Sequence, residues 1–197
     1  MKPTDTNREE LPIMPFASQA EWVAWLETHH GASPGVWLRL AKKGSGVASV
    51  TYDEALEVAL CYGWIDGQKK GYDESAWLQK FTPRGPRSIW SKINREKAER
   101  LIERGQMKPA GVEQVERAKN DGRWGAAYDS QSSARVPSDL QSALDSSPEA
   151  QAFFATLNSA NRYAILFRIQ TAKKPETRAK RIQEFIGMLE RHEKLYP

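Results

Sequence analysis

One cysteine, Cys61, and three histidines are all the thiol and imidazole metal ligands in 197 residues. A lone thiol excludes an internal disulfide and fits a reducing compartment. With no acidic pair at metal-ligand spacing either, the sequence calls for no metal and no cofactor. No apolar run approaches the ~20 residues that a membrane-spanning helix needs. Met1 to Glu10 is polar and lacks the apolar core of a secretory signal, so the expected location is the cytoplasm. Also missing are G-x-S-x-G, H-E-x-x-H, the Walker phosphate loop and the dinucleotide glycine fingerprint. Catalytic groups can assemble in space without a motif. Their absence still favours a binding module over an enzyme.

What is present is ordinary for a soluble globular chain: 40% hydrophobic and 27% charged residues. The length suffices for one large or two small domains with a real core. The net charge of +4 permits contact with nucleic acid or acidic surfaces without requiring it. Its distribution says more. Nine Lys/Arg lie between Trp77 and Lys108 against three acids. Beyond Asn94 these form i,i+4 pairs such as Glu96–Arg100, a solvated helix face. Lys80, Arg84 and Arg87 have no acid beside them in sequence.

Those cations belong to the most informative stretch, Trp77 to Asn94. It reads as a strand ended by Pro83, a stiff basic loop Pro83-Arg-Gly-Pro-Arg87, and a helix capped by Ser91 or Asn94. Arginines and hydroxyls ahead of a helix N-terminus are the ingredients of an anion site. The candidate ligand-binding set is Trp64, Asp66, Thr82, Arg84, Arg87, Ser88, Trp90, Ser91, Lys92 and Asn94, with Trp64 or Trp90 able to stack on a ring. Lys173, Arg178 and Arg181 make a second basic cluster.

In order, residues 1–15 read as a disordered arm. Ser18 caps a first helix with Glu21 three residues on, and Trp22, Trp25 and Leu26 form its buried face. Val36–Leu40 alternates as a strand. Thr51 or Asp53 opens a second helix, and Gly63 ends it. In the strand from Trp64 to Lys70, Asp66-Gly67 signals either a hairpin turn or a bulge, and Asp66 could instead face the basic loop. Pro109 starts a further helix. Residues 129–136 have linker composition, and 137–197 reads helical throughout. The fold expected is α+β: a small antiparallel sheet packed with helices over 16–128, then a helical domain.

Ala59-Leu-Cys-Tyr-Gly-Trp-Ile-Asp-Gly67, Phe81-Thr-Pro-Arg84, Ser88-Ile-Trp-Ser-Lys-Ile-Asn94, Gly105-Gln-Met-Lys-Pro-Ala-Gly111, Gly122-Arg-Trp124 and Ala172-Lys-Lys-Pro-Glu-Thr-Arg-Ala-Lys-Arg181 together resemble the YdeI/OmpD-associated (bacteriocin-protection) family. The resemblance runs from about Phe16 to Leu189 and implies a role in resistance to bacteriocins or antimicrobial peptides. The N-terminal part is similar to the YjbR/CyaY-like group, which implies a small antiparallel sheet on helices and, for some members, DNA binding. The iron role of the frataxin branch does not carry over, because the first helix here is not acid-rich. The partner expected is a small anionic ligand or a protein, with nucleic acid as the alternative. As an enzyme the chain would need a general base, for which Asp66 is the candidate and Tyr62 or Cys61 the outside alternatives.

Overall fold

Local chemistry sets where the elements begin in the computed structural model, which describes residues 10–197. Ser18 caps α1 (Gln19–His29) by accepting from the Glu21 amide, and the Glu21 carboxylate reaches back to the Ala17 amide at 2.8 Å. Thr51 and Glu54 form a full capping box at the start of α2 (Tyr52–Cys61). Gly63 follows α2 at φ +73, where a side chain would be strained. Pro109, Pro148 and Pro175 open α4 (Pro109–Asn120), α6 (Pro148–Thr156) and α8 (Pro175–Glu190).

The chain divides into two compact units. One runs to Ser88 and resumes over Asn94–Trp124; the other holds Ile89–Ile93 and Gly125–Pro197. In the first, β2 (Val36–Ala41), β4 (Ala76–Pro83) and β3 (Trp64–Gly71) form the expected antiparallel ladder. The order of the sheet is β1-β2-β4-β3. The fourth strand, β1 (Ile13–Pro15), pairs parallel to β2, with α1 crossing between them. The sheet is therefore mixed rather than purely antiparallel. It also claims part of the arm expected to be disordered; residues 1–9 of that arm lie outside the described residues.

Val36, Leu38, Leu40 and Phe81 are buried on the helix-covered face with Trp22 and Leu26 of α1 and Leu56, Ala59 and Leu60 of α2. The Asp66-Gly67 signal resolves as a bulge: the β3–β4 register shifts between Asp66 and Lys69. Gln79 is 3% exposed because its amide donates to the Gly67 carbonyl at 2.9 Å and the Gln68 carbonyl at 3.3 Å. The turn comes later, at Tyr72–Ser75. There the Asp73 carboxylate accepts from the Ser75 and Ala76 amides and lies below its ordinary range, chiefly through the Ser75 hydroxyl.

The second unit packs α5 (Ser138–Asp145), α6, α7 (Ser159–Gln170) and α8 around Leu140, Leu144, Ile165, Ile169, Phe185 and Leu189. Helix α3 (Lys92–Glu103) starts in it and continues in the first unit. The boundary falls earlier than the linker read from composition. Asp129 is not a spacer: its amide and carboxylate bond Gln170, and its carboxylate also meets Lys92. No described helix is long and apolar enough to cross a membrane.

Candidate functional site

The predicted anion loop is divided between the two units, and most of its side chains have structural duties. Trp64 is 1% exposed and donates its indole N–H to the His30 carbonyl at 3.0 Å. It stands edge-on to Trp22 and Trp25, so it is core and offers no open ring. Arg84 and Trp90 are buried too, at 5% and 2% exposure. Ser88 closes the tight turn after Arg84: its hydroxyl accepts from the Gly85 amide, and its carbonyl takes the Arg123 guanidinium at 2.6 Å. Arg123 is in turn held by Asp121 at 2.7 Å.

In the second unit Ser91 bridges Tyr128, and the Lys92 amide donates to the Tyr128 carbonyl at 2.8 Å. The backbone donor once offered to an anion is thus spent. The Lys92 ammonium is 2.6 Å from the Asp129 carboxylate, which it holds below the usual range. Asn94 lies buried inside α3 rather than at its cap. Thr82 is half-buried on β4, and Arg87 alone of the loop's cations stands exposed in the described structure. The second basic cluster is tied up as well. Arg178 grips Asp139 at 2.6 and 2.8 Å and donates to the Ile169 carbonyl at 3.0 Å; Arg181 donates to the Arg168 carbonyl. Lys173 remains exposed.

The catalytic alternatives have equally plain roles. Asp66 pairs with Phe81 across the ladder and accepts from the Tyr52 hydroxyl at 2.8 Å. Burial pushes the Cys61 thiol up to about 11 and the Tyr62 phenol up to about 12, so both keep their protons at neutral pH. No group of three or more metal-ligating side chains occurs among the described residues.

A different surface gathers lysines without a carboxylate partner, although the Lys42 ammonium donates to the Asp73 carbonyl at 2.8 Å. Strands β2 and β3 both run antiparallel to β4, so their C-terminal ends meet at the same edge of the sheet. Each ends in a Lys-Lys pair: Lys42-Lys43 after β2, Lys69-Lys70 at the end of β3. With Ala41, Gly71 and Trp77 the four lysines line an open groove of about 680 Å³ that has no acid in its wall. Lys69 sits 4.3 Å over the Trp77 ring, while Lys70, the next residue along the strand, sits 4.3 Å over Trp37 on the opposite face of the sheet. The sequence carried a signal for this groove, two Lys-Lys-Gly repeats 27 positions apart, but only the strand order brings them together.

A second hollow, of about 320 Å³, lies between α1, α2 and the turn from α3 to α4, beside Cys61 and Tyr62. The turn is anchored by the Lys108 amide on the Cys61 carbonyl at 3.1 Å. Gly111 is required beside it, because a Cβ there would stand 2.3 Å from that carbonyl.

Two family models match the chain: a domain of unknown function (DUF8412) over residues 14–114, and Bacteriocin-protection, YdeI or OmpD-Associated over residues 133–192. The N-terminal match is to the former, and nothing in these matches supports the YjbR/CyaY-like resemblance. No curated protein and no solved structure matches the chain. The chain belongs to the DUF8412 domain family, whose model spans half of it, and residues 133–192 of its helical unit are similar to the Bacteriocin-protection, YdeI or OmpD-Associated family.

Proposed function

We propose that the protein is a non-catalytic binding module whose sheet edge takes an anionic partner. The observation that carries the reading is the groove of Lys42, Lys43, Lys69 and Lys70 around Trp77, with no acid among its lining residues. Lysine ammoniums are point charges without the planar fork of arginine, and an open groove lacks the enclosure of a small-anion pocket. Both features suit an extended partner, an acidic protein segment before all others. Lysines on an edge strand also discourage strand pairing between copies. That role does not account for Lys42 and Lys43, which lie beyond the end of β2.

The family description names bacteriocin protection. A lysine-lined groove repels a cationic peptide, so protection would act through an anionic cellular partner and not through capture of the toxin. Nucleic acid is the second reading, since a base that displaced the Lys69 ammonium from the Trp77 ring would stack on it while the ammonium met a phosphate. Anisotropy titrations with labelled poly-glutamate and a labelled single-stranded oligonucleotide test the module. Binding of either probe, weakened about tenfold by joint Lys69→Ala and Lys70→Ala and unaffected by Arg87→Ala, supports it. Binding that depends on Arg87 and not on the two lysines returns the site to the basic loop.

A further inference from the structure

Strand β3 ends the sheet on the side away from β1, and it is exposed from Gly67 to Gly71. The Lys42 amide donates to the Ser75 carbonyl, one step beyond the Ala41–Ala76 pair. Ser75, Trp77 and Gln79 therefore turn their backbone groups toward β2, and Leu78 between them turns toward its partner Lys70. Lys69 and Gly71, opposite Gln79 and Trp77, point their N–H and C=O groups outward. Among the described residues no loop or side chain takes those groups up. Such an edge is a template for another strand. The other side of the sheet shows that a short one suffices, since β1 joins β2 over Ile13–Pro15 alone. The bulge lies between Asp66 and Lys69, so Lys69–Gly71 keeps a regular register with Gln79–Trp77.

Side chains decide which strand this edge accepts. Lys69 over Trp77 and Lys70 over Trp37 put one cation on each face of the sheet. Both lysines are exposed, neither meets a carboxylate among the described residues, and a ring on one side leaves ammonium N–H groups open on the other. A second copy of β3 brings the same charges and is repelled. We propose that an acidic segment of a partner protein adds to β3 as an extra strand along Lys69–Gly71. Successive side chains of that strand fall on opposite faces, so consecutive carboxylates meet Lys69 on one face and Lys70 on the other. The recognition element is a run of about three Asp or Glu residues in extended chain, held by main-chain bonds and selected by charge. This names the partner of the lysine groove and rests on that reading.

The experiment uses the full-length protein and the labelled peptide Thr-Val-Glu-Glu-Glu-Val-Thr. Its control is the same peptide N-methylated at two successive glutamates, which blocks both strand edges and keeps the charge. By anisotropy the methylated peptide should bind about tenfold more weakly, and joint Lys69→Ala and Lys70→Ala should weaken the unmethylated one about tenfold. In hydrogen exchange followed by NMR, the unmethylated peptide should slow the Lys69 and Gly71 amides several-fold more than the Lys70 amide, already bonded to β4. Equal affinity of the two peptides, or binding that leaves the Lys69 and Gly71 amides unprotected, overturns the added strand; where that binding still needs the two lysines, the groove reading stands. Binding of neither peptide, or binding indifferent to the lysines, overturns both.

Discussion

Lys92 holds its ammonium 2.6 Å from the Asp129 carboxylate, while Gln170 donates to the other oxygen of that carboxylate at 2.8 Å. A lysine that reads as an anion ligand in sequence is therefore a fastener within the helical unit. The lysine hydrogen bond is the main cause that lowers Asp129, with Gln170 helping against the effect of burial.

Asp129→Asn should cost about 1 kcal/mol at neutral pH, a figure that allows for solvent screening of a partly exposed pair. The sign of the pH dependence follows from the lowered folded-state pKa. The stabilisation is fully present above the unfolded value of ~3.9 and is lost as pH falls through the folded value. Urea titrations of wild type and variant should therefore differ at pH 7, begin to draw together as pH falls through about 4, and converge only below the lowered folded-state value. A gap that persists unchanged at low pH would mean the carboxylate charge is not what stabilises the contact.

Arg178→Ala should destabilise by about 2 kcal/mol, since it breaks a bidentate pair with Asp139 and the bond to the Ile169 carbonyl together. Lys173→Ala should stay within about 0.5 kcal/mol, as its side chain is exposed. Thermal unfolding of the two variants separates a structural cluster from a binding one. Equal and negligible losses would return Arg178 to the list of ligand candidates.

Gly111→Ala places a Cβ 2.3 Å from the Cys61 carbonyl and 2.5 Å from Met107 Sδ, so α4 must move off α2. A loss of about 2–3 kcal/mol or more is expected in chemical denaturation. Gly44→Ala is the control: it has open space around it and a φ of +82, which should cost only about 1 kcal/mol.

How much of this was legible in the sequence depended on whether the deciding chemistry was local. The Ser18 and Thr51 caps, the Gly63 stop and the Pro109 start were readable because each acts within one turn of helix. Strand β1 was not: three residues carry no period of their own, and the edge of β2 supplies their pairing. The Asp66-Gly67 ambiguity could not be resolved locally, because Gln79, twelve residues on, fills the bulge. The basic loop met the same limit. Arg84, Trp64 and Trp90 have the residue types of an anion or base site, but burial is settled by tertiary packing and took them out of reach. Lys42-Lys43 read as part of a turn and Lys69-Lys70 as the end of a strand until the strand order brought them to the same end of the sheet.

The central claim, an anionic partner held by the lysine groove, is tested most directly by the salt dependence of binding to a single-stranded oligonucleotide used as an extended anion. Each lysine–phosphate contact contributes about −0.7 to the slope of log K against log salt, so four contacts predict a slope of roughly −3. The Lys69→Ala, Lys70→Ala double variant should lower its magnitude by about 1.4 units by the same rule, while Arg87→Ala leaves it unchanged. An equal slope in wild type and double variant, or no binding at low salt, would contradict the account.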